Sequence, residues 1–170
     1  MRNIEIKASL RDTDYAENTA KILTGGDAGF ILNQVDTYFA VDSGRMKLRE
    51  INNKDAQLIF YNRVDNRGPK KCVYHIVDID NPDEMKDMLG KALGIDVVVK
   101  KNRKVYLYEN VRIHIDRVEE LGEFIEFEAV LEDDMTDTEG RNSVQRLMSE
   151  FGINKEDLIE DSYADIIRRK

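Results

Sequence analysis

Alternation of apolar and polar residues with a period of two, repeated in about eight segments, is the feature that most narrows what this chain can fold into. Such a segment cannot bury its apolar face as a helix, where the period is 3.6, but it does so as a strand whose successive side chains point to opposite faces. The first example is Ile4, Ile6 and Ala8 against Asn3, Glu5 and Lys7; the second sets Val35, Thr37 and Phe39 against Gln34, Asp36 and Tyr38. Further strands are expected over 45–50, 56–65, 72–79, 97–108, 111–118 and 123–131, joined by short links such as Asp42-Ser43-Gly44, Asn52-Asn53-Lys54 and Asn66-Arg67-Gly68-Pro69. Helical signals are fewer. Asp12 or Thr13 opens a helix running to about Leu23 before Gly25-Gly26, and Asn81-Pro82 opens a second that ends at Gly94. A third follows Asp137-Thr138 and ends at Gly152, and short helical pieces are expected over 155–159 and 163–168. The expected fold is mainly β (α+β), an eight-stranded antiparallel barrel with flanking helices, in one domain spanning 1–170.

Composition bounds the remaining possibilities. At 170 residues a core can bury roughly 70% of the unfolded chain's surface. The single cysteine, Cys72, excludes an internal disulfide framework and a cysteine-rich zinc module. The opening residues have no apolar secretory stretch and no run reaches the ~20 residues of a membrane span, so a soluble, cytoplasmic protein without a membrane partner is expected. A net charge of -8 argues against non-specific nucleic-acid binding. That charge is segregated, however: residues 45–71 hold eight Lys/Arg against three Asp/Glu, and residues 118–161 hold three against fifteen.

The polar strand faces carry the chemistry. They present Glu5 and Lys7, then Arg45, Lys47 and Arg49, then Tyr61 and Arg63, then Lys101 and Arg103, then Arg112, His114 and Asp116, and finally Glu126 and Glu128. An antiparallel sheet with one solvated face would account for charge there. Two details point instead to a shared enclosed face: cations gather on the middle strands with carboxylates on the first and last, and arginines recur in register. An enclosed charged face needs water or a ligand of opposite charge, since unpaired buried ions cost several kcal/mol each. A polyphosphate with a divalent metal suits both signs: arginine forks and lysine point charges take its oxygens, and carboxylates take the metal. Beside these groups His114 reads as a hydrogen-bonded structural residue in preference to a base.

In order and spacing, several segments together resemble a known family. They are Asn3–Ala8 (NIEIKA), Gln34–Phe39 (QVDTYF), Gly44–Glu50 (GRMKLRE), Tyr61–Arg63 with Gly68–Lys70, Lys101–Arg103, Arg112–Leu131 and Ser162–Ile167 (SYADII). The chain resembles the CYTH superfamily, the triphosphate tunnel metalloenzymes, and within it the class IV adenylyl cyclase-like branch. The resemblance implies an eight-stranded tunnel that takes a small-molecule triphosphate such as tripolyphosphate or ATP with Mg²⁺ or Mn²⁺. By position, Lys7, Lys47, Arg49, Arg63, Lys101, Arg103 and Arg112 would hold phosphates, with Lys70 matching the lysine of a Lys-x-Ser-x-Tyr element that here reads Lys70-x-Cys72-x-Tyr74. Glu5, Glu126 and Glu128 would ligate metal, and Asp116 would assist the metal or the attacking water. The expected activity is metal-dependent triphosphate hydrolysis. Cyclisation of ATP and non-catalytic polyphosphate binding are the rivals, and a homodimer is left open. One departure stands out: the family's first acid in Glu-x-Glu-x-Lys is Asn3 here, so the site has one negative ligand fewer.

Overall fold

A computed structural model of the chain describes residues 2–63 and 68–170. The end of the strand expected over 56–65, at Val64 and Asp65, and the first half of the expected turn, at Asn66 and Arg67, lie outside those residues. Eight antiparallel strands close on themselves: β1 (Arg2–Ser9), β2 (Phe30–Phe39), β3 (Arg45–Ile51), β4 (Asp55–Arg63), β5 (Lys70–Asp78), β6 (Ile95–Tyr108), β7 (Val111–Val118) and β8 (Gly122–Val130). Around the barrel the order is β1-β5-β4-β3-β2-β6-β7-β8, and β8 returns to β1 with Glu5 opposite Glu128 and Lys7 opposite Glu126. The ring is thinnest where β1 meets β5, which pair only over Arg2–Glu5 and Lys70–Val73. The expected mainly β fold is the observed one.

Four helices flank the barrel: α1 (Thr13–Leu23), α2 (Pro82–Leu93), α3 (Asp137–Glu150) and α4 (Tyr163–Arg168). The piece expected over 155–159 is a single 3-10 turn at Lys155–Asp157. Each start follows from local chemistry. The Asp12 carboxylate accepts from the Tyr15 amide, Asn81 caps α2 ahead of its first-turn proline, and Thr136 and Glu139 cap each other reciprocally at α3. The sharp β3–β4 link uses Asn52 and Asn53 in left-handed backbone, φ 54° at each, a conformation asparagine tolerates better than most residues.

The barrel wall separates two environments. On the outside, Ile4, Ile6, Val111, Ile113, Ile125 and Phe127 are buried with Ala16 and Ala20 of α1 and Val144 and Leu147 of α3. Gly140 lets α3 approach this closely, since a Cβ there would stand 2.7 Å from Leu131 and 2.9 Å from Ile4. Among the alternate residues of the same strands, Glu5, Lys7, Arg112, Glu126 and Glu128 face inward and are charged. Period-two patterning therefore does two jobs in one sheet: apolar residues anchor helices outside, and ions line the lumen.

Candidate functional site

The lumen forms a cavity of about 140 Å³ whose walls include Glu5, Lys7, Lys47, Arg49, Arg63, Lys101, Arg103, Arg112, Glu126 and Glu128. Arginines from the middle strands and the two β8 glutamates thus share one enclosed space. Of the sequence-predicted residues, Lys70 and Asp116 stand apart from this lining. Lys70 is fully buried and donates to the carbonyls of Ile159 and Glu160, at 3.2 and 2.9 Å, holding the segment that leads into α4. Asp116 lies behind Arg103, accepting from its Nε at 2.7 Å and from a terminal nitrogen at 2.6 Å, and from the Tyr163 hydroxyl at 2.8 Å.

Asp36 of β2 is the residue that pattern reading passed over. It alternates with Val35 and Thr37 as a plain polar position, yet it is 1% exposed and is the common anchor of three cations. Arg49 donates to both its oxygens at 2.7 and 2.8 Å, Lys47 at 2.9 Å and Lys101 at 2.8 Å. Burial alone would raise its pKa, but Arg49, Lys101 and Lys47 outweigh that and hold the carboxyl well below the usual range. The available signal was its strand phase, which puts it on the same face as Tyr38.

The pKa of Lys101 is also lowered, which for a lysine disfavours the charged form. Burial, with Arg49, Arg103 and Lys47 nearby, brings its pKa down to about 7 despite the pull of Asp36. At the acidic side of the lumen, Glu126 receives Lys7 at 3.1 Å and also Arg103. Burial pushes Glu126 up, but Arg103 and Lys7 keep it well below the ordinary value. Glu5 is raised instead, by burial and by Glu128, although Arg63 bonds it at 2.9 Å. A group of acids in which one is driven toward its neutral form is a setting that a cation relieves.

His114 lies opposite Glu126 in the β7–β8 register. Its Nδ1 is buried without a hydrogen-bond partner, 3.7 Å from oxygens of both Glu126 and Glu128. These three residues can each offer a ligand atom within 4.8 Å of the others. Asn3 also lines the lumen, and its buried Oδ1 has no hydrogen-bond partner.

One end of the lumen is stoppered. Tyr163, the first residue of α4, is 4% exposed and packs on Phe124, with the Lys7 ammonium 3.4 Å from its ring centre. Toward the other end exposure rises, from 5% for the Arg103 side chain to 48% for Arg112. Among the described residues no helix is long and apolar enough to cross a membrane.

Comparison with known proteins agrees with this architecture. A conserved hypothetical protein of Pyrococcus furiosus superposes with a TM-score of 0.81 at 24% identity, covering 96% of this chain and 98% of that one. A candidate adenylate cyclase of Vibrio parahaemolyticus superposes with a TM-score of 0.78 at 19% identity, covering 98% and 97%. In sequence, a protein of Methanocaldococcus jannaschii named as a candidate adenylate cyclase is 28% identical over 92 residues, 53% of this chain. The match takes in 52% of that relative, so the chain spans about half the length of the curated protein it matches. The CYTH domain description matches residues 1–163, and on that match, with the closed charged barrel, the chain belongs to the CYTH domain family.

Proposed function

We propose that the protein binds a triphosphate in its lumen and hydrolyses a phosphoanhydride bond with the help of Mg²⁺ or Mn²⁺. The observation that carries this reading is the charge of the inner face. Setting aside the Arg45–Asp165 pair at the rim, eight Lys/Arg side chains meet five carboxylates there, counting Asp36, Asp116 and Lys70 among the described residues. That surplus of cations sits inside a protein whose overall charge is -8. A compact polyanion is the ligand class that such an enclosure favours.

The chain's own residues divide the work. Arg49 and Arg103 offer planar forks, while Lys7, Lys47 and Lys101 offer point charges, and incoming phosphate oxygens would take over part of the bonding now directed to Asp36 and Glu126. Asp116, tied to Arg103 and Tyr163, orients that guanidinium. Glu5, Glu126 and Glu128 would hold the metal, a role suited to hard oxygen donors. When bound, the metal supplies Lewis-acid charge at the phosphates and to the attacking water. Phosphoryl transfer depends chiefly on positioning and charge stabilisation, which a rigid closed barrel provides.

Phosphate release from tripolyphosphate and ATP in Mg²⁺ and Mn²⁺ tests the reading. Arg49→Ala and Glu126→Gln are expected to lower turnover by about 10²–10³, in the range for loss of one charge-stabilising contact. Undiminished turnover in either folded variant would refute the assignment. The names of the Methanocaldococcus and Vibrio relatives favour a second reading, cyclisation of ATP. Chromatography separates the two: ADP and phosphate mark hydrolysis, whereas cyclic AMP and pyrophosphate mark cyclisation.

A further inference from the structure

His114 is a chemical anomaly in this lumen. Its side chain is 6% exposed, and a buried imidazole nitrogen without a partner costs free energy that a folded protein ordinarily avoids. The distances from Nδ1 to Glu126 Oε2 and to Glu128 Oε1 are both 3.7 Å, too long for a hydrogen bond. Two bonds of roughly 2.0–2.2 Å to a shared ion, by contrast, hold their donor atoms about 3–4 Å apart. The strand register creates this spacing: His114 lies opposite Glu126, and Glu128 follows two residues later on the same face. Glu126 Oε2 also accepts from Arg103, but a carboxylate oxygen has a second lone pair available.

We propose that His114 is a metal ligand through Nδ1, forming with Glu126 and Glu128 a mixed nitrogen and oxygen site that selects Mn²⁺ over Mg²⁺. The inference rests on the metal-assisted reading above for its purpose, but its geometry stands separately. Carboxylates and water suit Mg²⁺, whereas an imidazole donor favours transition ions, and Mn²⁺ is the ion of that kind compatible with a carboxylate-rich site. The imidazole also adds a donor without adding negative charge, in a lumen whose first strand carries the neutral Asn3.

Pulsed electron paramagnetic resonance of the full-length protein loaded with Mn²⁺ alone tests this without turnover. The wild type is expected to show ¹⁴N modulation from a directly bound imidazole, and His114→Gln is expected to lose it, which also removes His75 as its source. In parallel, Mn²⁺ affinity of His114→Gln should fall by at least the ~10–100-fold that loss of an outer-shell partner costs, while Mg²⁺ affinity changes less. Bound Mn²⁺ without ¹⁴N modulation in the wild type would overturn the proposal, as would an unchanged Mn²⁺ to Mg²⁺ affinity ratio in the folded variant. Nitrogen modulation in a protein that cleaves no triphosphate would uphold the ligand and defeat the hydrolytic reading, so the two failures are distinguishable.

Discussion

Two lumen residues make stability rise with pH, each in its own window. Lys101, with a pKa near 7, loses its charge as pH rises through neutrality, whereas an unfolded lysine keeps its proton to about 10.4. Across that window the unfolded chain binds more protons at this position, so this side chain contributes a stability that increases with pH. Binding a polyanion restores the charge. Calorimetry with tripolyphosphate at pH 8 in two buffers of different ionisation enthalpy should therefore reveal uptake approaching about one proton per ligand, absent in Lys101→Met. Identical enthalpies in the two buffers would contradict this account. Asp36 acts in the same direction, in a more acidic window. Its depressed pKa means that its contribution is complete above the unfolded value and is lost as pH falls through the native one. Asp36→Asn strips the shared anchor from Lys47, Arg49 and Lys101, and urea unfolding should register a loss of about 3–5 kcal/mol, the range for breaking a buried ion pair. Added tripolyphosphate should return much of that loss by supplying another anion.

At the scale of elements, strands and their inward faces were legible because side-chain phase is a local property of a strand. Helix starts were legible for a similar reason at Asp12 and Asn81, whereas the third helix, expected to open at Asp137-Thr138, is capped one residue earlier by Thr136. Neighbour identity was not local. Asp36 meets Lys101 across a β2–β6 pairing of residues 65 positions apart, and β5 inserts between β1 and β4, so the internal neutralisation of the lumen depended on strand order that alternation does not encode. The same limit hid the work of Lys70, whose partners lie 89 and 90 residues away in the approach to α4. That short helix is held by Ser162 and Asp165, which cap each other, and by Arg45 on the Asp165 carboxylate at 2.9 Å. Its tie to the lumen is Tyr163. Tyr163→Phe keeps the ring beside Lys7 but removes the bond to Asp116, an expected loss of about 1.5–3 kcal/mol. Tyr163→Ala also removes the packing on Phe124 and should cost about 3–5 kcal/mol. Chemical denaturation of the pair would find the contrary result if both variants matched the wild type.

The molecule as a whole keeps opposite charges in different places. Because its inner face carries a surplus of cations while the total is -8, the outer surface is more negative than the total. An extended polyanion such as duplex DNA meets that acidic exterior and is too wide for the lumen, whereas a triphosphate chain presents the same chemistry in a form that fits inside. Selectivity then comes from enclosure, and stability offers a direct readout of it. A ligand that binds only the native state stabilises by mass action, about 2.7 kcal/mol at one hundred times its dissociation constant. For a chain of this length each kcal/mol raises Tm by about 2–4 °C, so saturating tripolyphosphate should raise Tm by roughly 5–11 °C. Duplex DNA at equal phosphate concentration should leave Tm unchanged. Arg49→Ala with Arg103→Ala should erase most of the tripolyphosphate shift, since it empties the lumen of two forked donors without altering the acidic exterior. Equal stabilisation by DNA and tripolyphosphate would mean that the anions are read on the outside, and the enclosed cations would then serve only to balance their own carboxylates.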